Sequence, residues 1–279
     1  KKLQTGYARG NAFLKQTAAD RATDVSANEI NVFYGGSQQM ERANAVSAAN
    51  VSITPTNASP GYSKATVFAP QAVKLFFRPG NAESLLNEIQ TDGRTSIVMQ
   101  PVAGNPRSAY RKLTADAVKT FLGENGKDLL RAEAVGNGEL YVEPTQPTPE
   151  NYKTTVTAPR FDCDFFAGNN ARSCTAATKA KAVLVPTIPA EKRGTRTLTA
   201  EKLVTNFNQN TQDIEQFDAG GNAKFTDLDR NAVADRIVYT APDEIVRLRG
   251  GEPTIWDSRA RARAGEHDED TKNQNCYWR

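Results

Sequence analysis

One six-residue frame recurs along the chain: apolar, any, alanine, any, any, apolar. It stands at Leu198-Thr199-Ala200-Glu201-Lys202-Leu203 and again around Ala27, Ala69, Ala115, Ala158 and Ala234. The flanking residues there are Val25 and Ile30, Val67 and Ala72, Leu113 and Val118, Val156 and Phe161, and Ala232 and Ile237. The anchoring alanines are 42, 46, 43, 42 and 34 residues apart. A motif held at a period of about forty residues demands stacked units that bury one continuous face.

The frame has a physical reading. The step of two from the first apolar residue to Ala is the period of a strand with one buried face. The step of three that follows is a slip of one residue, as at a bulge or corner that resets the inward face. Seven residues past each alanine stand Tyr34, Phe76, Leu122, Phe165, Phe207 and Ala241, so the phase holds beyond the corner. A second half-motif lies nineteen residues after Ala115, Ala158 and Ala200, at Ala134, Ala177 and Ala219, and eighteen after Ala27, at Ala45. Three sites share a glycine signature: Ala8-Arg9-Gly10-Asn11-Ala12, Ala134-Val135-Gly136-Asn137-Gly138 and Ala219-Gly220-Gly221-Asn222-Ala223. Glycine there suits a bend or close backbone approach.

Each unit therefore reads as a strand with a corner, a turn, a second strand and a polar loop. The units are 21–56, 57–104, 107–149, 151–190, 194–228 and 230–258, with partial units at 1–20 and 259–279. Residues 57–104 are the least regular, with Ile97-Val98-Met99-Gln100-Pro101 where the glycine signature belongs. No segment holds a helical period beyond two turns. The expectation is one continuous all-β domain over 1–279, a solenoid-like stack of about six units of about forty residues.

Composition excludes several classes. Apolar residues make up 38% and charged residues 24%, too apolar and too evenly patterned for disorder. The net charge of +3 comes from interspersed residues of both signs and argues against nucleic-acid binding. No run reaches the roughly 18–20 apolar residues of a membrane helix. Lys1 opens almost directly on a repeat strand with neither an initiator Met nor a signal peptide, which reads as a processed or trimmed product.

Chemistry for catalysis is sparse, and no enzyme, cofactor or metal is expected. The single histidine, His267, lies in the acidic run Glu266-His267-Asp268-Glu269-Asp270, where the frame calls for an apolar residue; a solvated charged turn is the expectation. Gly123-Glu124-Asn125-Gly126-Lys127 lacks the spacing of a phosphate loop and fits a hairpin turn. Asp162/Asp164, Asp227/Asp229 and the 266–270 run lack the ligand count of a calcium loop. Asn50-Val51-Ser52 and Asn57-Ala58-Ser59 match glycosylation acceptors. Arg259 to Ala264 alternates as a strand with alanine inward. Cys163 and Cys174 flank a hairpin turn at Ala167-Gly168-Asn169-Asn170, and a simple hairpin would bring them opposite each other. The repeat phase instead puts Cys163 inward and Cys174 with Arg42, Arg131 and Gln216. Both readings of the pair stand.

What remains is the inner face: Val25, Ile30, Tyr34, Val67, Phe76, Leu113, Val118, Phe121, Phe161, Phe165, Leu198, Leu203, Phe207, Ile237 and Tyr239. These side chains either close into a packed core or line an apolar trough between splayed strands. A trough would bury acyl chains at roughly 25 cal/mol per Å² without any base or metal.

The frame L-T-A-x-x-[VL]-x-x-x-F followed by A-x-G-N-A resembles the periplasmic lipopolysaccharide-transport family, LptA or OstA (organic solvent tolerance). Leu198-Thr199-Ala200 with Ala219 to Ala223, Leu113-Thr114-Ala115 with Gly136-Asn137-Gly138, and Ala234 to Tyr239 with Val246 to Gly251 carry the resemblance. It implies a bent, V-shaped β jelly roll that holds lipid or glycolipid acyl chains inside. It also implies end-strand pairing with copies of itself or related modules, in the periplasm or outside the cell of a Gram-negative-type bacterium. The alternative is a structural β rod that polymerises end to end around a closed core.

Overall fold

The computed structural model describes residues 2–17, 21–56, 61–81, 84–105, 108–149, 151–190, 193–242, 244–270 and 275–278; the Asn57-Ala58-Ser59 acceptor lies outside the described residues. Every regular element among them is a strand, and all 21 join one hydrogen-bonded network. In chain order these are β1 (Thr5–Thr17), β2 (Arg21–Tyr34), β3 (Met40–Val46), β4 (Ala49–Pro55), β5 (Lys64–Ala69), β6 (Ala72–Pro79) and β7 (Ser84–Asp92). Then come β8 (Thr95–Gln100), β9 (Ala109–Ala115), β10 (Ala117–Leu122), β11 (Leu129–Pro144), β12 (Tyr152–Phe165), β13 (Ala171–Pro186) and β14 (Arg196–Phe207). The last are β15 (Ile214–Asp227), β16 (Arg230–Thr240), β17 (Ile245–Arg249), β18 (Thr254–Trp256), β19 (Arg261–Arg263), β20 (Glu266–Asp270) and β21 (Asn275–Trp278).

The corner read from the sequence organises these strands. β1, β2 and β11 to β16 run through it uninterrupted. The ladders slip there, between Arg9 and Ala12, Val135 and Gly138, Thr199 and Lys202, and Gly220 and Ala223. Elsewhere the same passage is cut in two at Ser47-Ala48, Pro70-Gln71, Gly93-Arg94 and Asp116. The glycine signature is the backbone of this corner. Gly10-Asn11, Gly136-Asn137 and Gly221-Asn222 are consecutive left-handed residues, at φ 74° and 53°, 80° and 46°, and 82° and 50°. Gly and Asn are the residues that reach this region most cheaply. Thr178-Lys179 adopt it too, at φ 66° and 58°, without any sequence cue.

The half-strands on either side of the corner sort into two sheets. Sheet I runs from the start of β1 through the end of β2, β3, β6, β7, β10 and alternate halves of β11 to β16 to β17, β20 and β21. Sheet II takes the other halves with β4, β5, β8, β9, β18 and β19. Because β2 and β11 belong to both, β2-β3-β6-β7-β10-β11-β9-β8-β5-β4 close a ring of ten strands.

Small residues pair along the corner: Ala12 with Ala27, Ala49 with Ala69, Gly138 with Ala158, Ala180 with Ala200, and Ala223 with Ala234. The first inward row of sheet I is buried throughout and alternates large and small over much of its length: Ile30, Ala45, Val73, Thr91, Val118, Ala134, Phe161, Ala176, Leu203, Ala219, Ile237, Leu248 and His267. Such alternation lets side chains interdigitate across a sheet without voids. Thr91 mends the one irregular seam, where β7 and β10 share only three paired residues. Its hydroxyl accepts from Val118 N at 2.9 Å, standing in for a ladder bond.

Several expectations change here. His267 is not in a solvated turn. It lies fully buried in β20 at the end of that row, so the frame persists where its residue type departs. The inward alanine of β13 is Ala176, opposite Phe161, and not Ala177. The Arg259–Ala264 strand shrinks to Arg261–Arg263, because Asp257 N donates to Ala260 O and turns the chain there.

Candidate functional site

The space between the sheets is the candidate site. The apolar clusters combine residues of both, such as Val118 and Phe161 from sheet I with Leu198 and Ala200 from sheet II or its corner. The inner faces therefore face each other. Val25, Ile30, Val118, Phe161, Leu198, Leu203 and Ile237 are buried next to the corner. Val67 and Leu113 sit half-buried in the first inward row of sheet II, paired with Val51 and Ile97. Farther out on sheet I, Tyr34, Phe165, Phe207 and Tyr239 keep the inward phase but are only half-buried. Tyr239 stacks on Phe217, with ring centres 5.5 Å apart. The face stays largely apolar as it leaves the packed corner for the lip, with Thr120, Thr205 and Glu269 on the same phase.

Two expected members point the other way. The corner of β5–β6 carries one extra residue, so the inward position is Val73 rather than Ala72. The lip residue is accordingly Phe77, and Phe76 faces outward between Arg42 and Glu88. Phe121 shares the outer face with Lys119, whose ammonium lies 4.8 Å from its ring, and Leu122 is the inward residue. Sequence reasoning also missed Leu75, Ile89, Phe217 and Phe225. Counting outward by twos from the true corner would have found each of them.

Cys163 and Cys174 are paired residues on β12 and β13, joined by a disulfide with Cα atoms 4.1 Å apart. Counted from Ala176 rather than Ala177, Cys174 falls on the inward phase with Ala43, Ala132 and Phe217. The hairpin reading was the right one.

The outer face of sheet I is a salt-bridge lattice. Arg160 meets Asp162 at 2.6 Å and Glu133 at 3.2 Å, Lys119 meets Glu88 at 2.9 Å, and Arg249 meets Asp268 at 2.6 Å. Arg160, first by its hydrogen bonds, holds the Asp162 carboxyl below the usual range. The two outer aspartates thus serve ion pairs. Gly123 to Asp128 form the hairpin turn between β10 and β11, with Gly123 N bonded to Asp128 O. Arg21, on the inward phase of sheet II, donates to Gly126 O of this turn at 3.3 Å and bridges the mouth.

The lip of sheet II is basic. Arg111, Arg196 and Arg230 occupy its second inward row or the end of it, and burial pulls the Arg111 guanidinium below the ordinary arginine value. β1 forms one end of both sheets. Among the described residues it pairs only with β2, and Tyr7, Phe13 and Leu14 are exposed on it. Among the described residues no helix is long and apolar enough to cross a membrane.

Comparison with known proteins agrees with the sequence resemblance over part of the chain. No curated protein matches. Among solved structures, the chain is similar to LptH of Pseudomonas aeruginosa, described as the LptA homologous periplasmic component of the conserved lipopolysaccharide transport device. That similarity is 13% identity over 50% of this chain and 82% of that one, at a TM-score of 0.35, below the level from which a shared fold follows. Residues 190–274, the stretch from β14 through β20, match the family described as LptA/(LptD N-terminal domain) LPS transport protein, so the LptA/OstA resemblance is shown there.

Proposed function

We propose that this chain is a lipid-carrying module of the lipopolysaccharide-transport type, working in the periplasm. Its two sheets form the arms of a V-shaped jelly roll, one continuous domain of stacked units. Acyl chains lie against the inner face, from the buried row at the corner to Tyr34, Phe165, Phe207 and Tyr239 at the lip of sheet I. The observation that carries this reading is the half-burial of those rings on a largely apolar inward face. A closed core would bury them, as it does Phe161. Apolar surface left open in this way gains roughly 25 cal/mol for each Å² that a lipid covers. The unpaired side of β1 offers a row of backbone donors and acceptors for a second module, so copies or related modules join end to end through their end strands.

Native mass spectrometry of the gently purified protein tests this. Co-purifying lipid that is lost from Phe207→Asp but kept by Phe121→Asp is the expected result, since the two rings occupy opposite faces of sheet I. A lipid-free wild-type protein that appears as a ladder of oligomers would favour the structural rod instead.

A further inference from the structure

The two lips of the groove differ in charge. Sheet I carries mainly aromatic and aliphatic residues on its inward phase, with Thr120, Thr205 and Glu269 among them. Sheet II carries Arg111, Arg196 and Arg230 in its second inward row, among apolar residues such as Met99, Val142 and Leu184, and Arg193 joins two of them in one place. Arg196 Nε lies 2.9 Å from Asp227 Oδ2, and Arg230 stands directly across the β15–β16 ladder from the same aspartate. The guanidinium carbons of Arg193 and Arg196 lie 4.6 and 4.9 Å from the centre of the Tyr152 ring. Arg193 Nε also donates to Tyr152 Oη at 3.2 Å. Of these three guanidinium groups, Arg196 pairs with Asp227, Arg193 rests on Tyr152, and Arg230 stands at the ladder position facing Asp227. Other acids nearby are engaged elsewhere: Asp229 accepts from Ser258, and Asp257 pairs with Arg259.

This arrangement suits an oxyanion. Guanidinium groups laid on an aromatic ring are held in place by stacking, which leaves their N–H donors for an incoming group. Arginine presents paired donors that match a phosphate. Among the described residues, Asp227 is the carboxylate paired with this cluster of three cations. Resting on the lipid-carrying reading above, we propose that Arg193, Arg196 and Arg230 form a phosphate-binding site at the lip of sheet II. It takes the headgroup of an anionic amphiphile whose tails lie along sheet I. The groove would then fix which way round the lipid travels, tails toward one lip and phosphate toward the other.

Isothermal titration calorimetry on the full chain tests this, with dihexanoyl phosphatidic acid, dihexanoylglycerol and inorganic phosphate as probes. The site variant is Arg193→Gln with Arg230→Gln, which leaves the Arg196–Asp227 pair intact. The control is Lys181→Gln with Lys224→Gln, an equal charge change on the outer face of the same sheet. The expected result is affinity for phosphatidic acid about tenfold weaker in the site variant and unchanged in the control, with dihexanoylglycerol binding alike to all three. Equal weakening in both variants would reduce the effect to net charge and overturn the site. So would wild-type binding of dihexanoylglycerol as tight as that of phosphatidic acid, while leaving the lipid groove standing. Inorganic phosphate bound as tightly as the lipid would assign the arginines to a free ion and overturn the headgroup assignment. No binding of either lipid would overturn the lipid-carrying reading itself.

Discussion

Gly138 and Phe161 show how one residue sets another at the corner. A Cβ on Gly138 would come within 2.6 Å of the Phe161 ring and 2.7 Å of Ala158 O. The equivalent corner positions carry Ala12 and Ala223, where the inward neighbours are Ile30 and Ile237. Gly138→Ala should therefore destabilise the fold by roughly 1–3 kcal/mol through overpacking. Adding Phe161→Leu should recover part of that loss, a non-additivity that a double-mutant cycle in denaturant would measure. His267 gives a second prediction. Burial, ahead of the opposing pull of Asp268 and the push of Arg249, lowers its pKa below the ordinary 6.5. The folded state favours neutral imidazole while the unfolded chain takes up a proton, so its contribution is intact above the unfolded value and is lost as pH falls through it. The melting temperature should drop between about pH 7 and about pH 5 in the wild type, and this drop should be absent from His267→Leu. An identical profile in both proteins would contradict that assignment.

At the scale of elements, the disulfide ties β12 to β13 across a separation of 11 residues. Cys163→Ala with Cys174→Ala should cost roughly 2–3 kcal/mol by the loop-closure estimate, read as a lower denaturant midpoint. Thiol titration of the denatured, unreduced chain should leave Cys163 and Cys174 unlabelled. Strand type, the corner and the inward phase of most units were legible in the sequence, because small corner residues and period-two apolar residues are both consequences of a bent, one-sided strand. The failures have physical causes. The extra residue at Pro70-Gln71 shifts the phase by one, which sent Phe76 to the wrong face. The left-handed pair Thr178-Lys179 carries no glycine, so the corner of β13 was misplaced and Cys174 with it. His267 was read by its polarity and its acidic neighbours rather than by its place in the frame. The arginine lip was missed altogether, since Tyr152 precedes Arg193 and Arg196 by 41 and 44 residues and meets them only because β13 pairs with both β12 and β14.

For the whole molecule, the proposed function makes the space between the two sheets the working surface and the outer lattice of ion pairs its solvated side. The N-terminal ring of ten strands and the C-terminal run of cornered strands share one buried row, from Ile30 to His267, apolar except for Thr91 and His267. The width of the groove decides between carrier and rod. The most direct measurement is photo-crosslinking in cells of the producing bacterium, with a benzophenone amino acid placed singly at Phe165, Phe207, Phe76 and Phe121. Lipid adducts at Phe165 and Phe207 and none at Phe76 and Phe121 are the predicted result. Adducts at all four positions, or at none, would contradict a lipid-filled groove between the sheets.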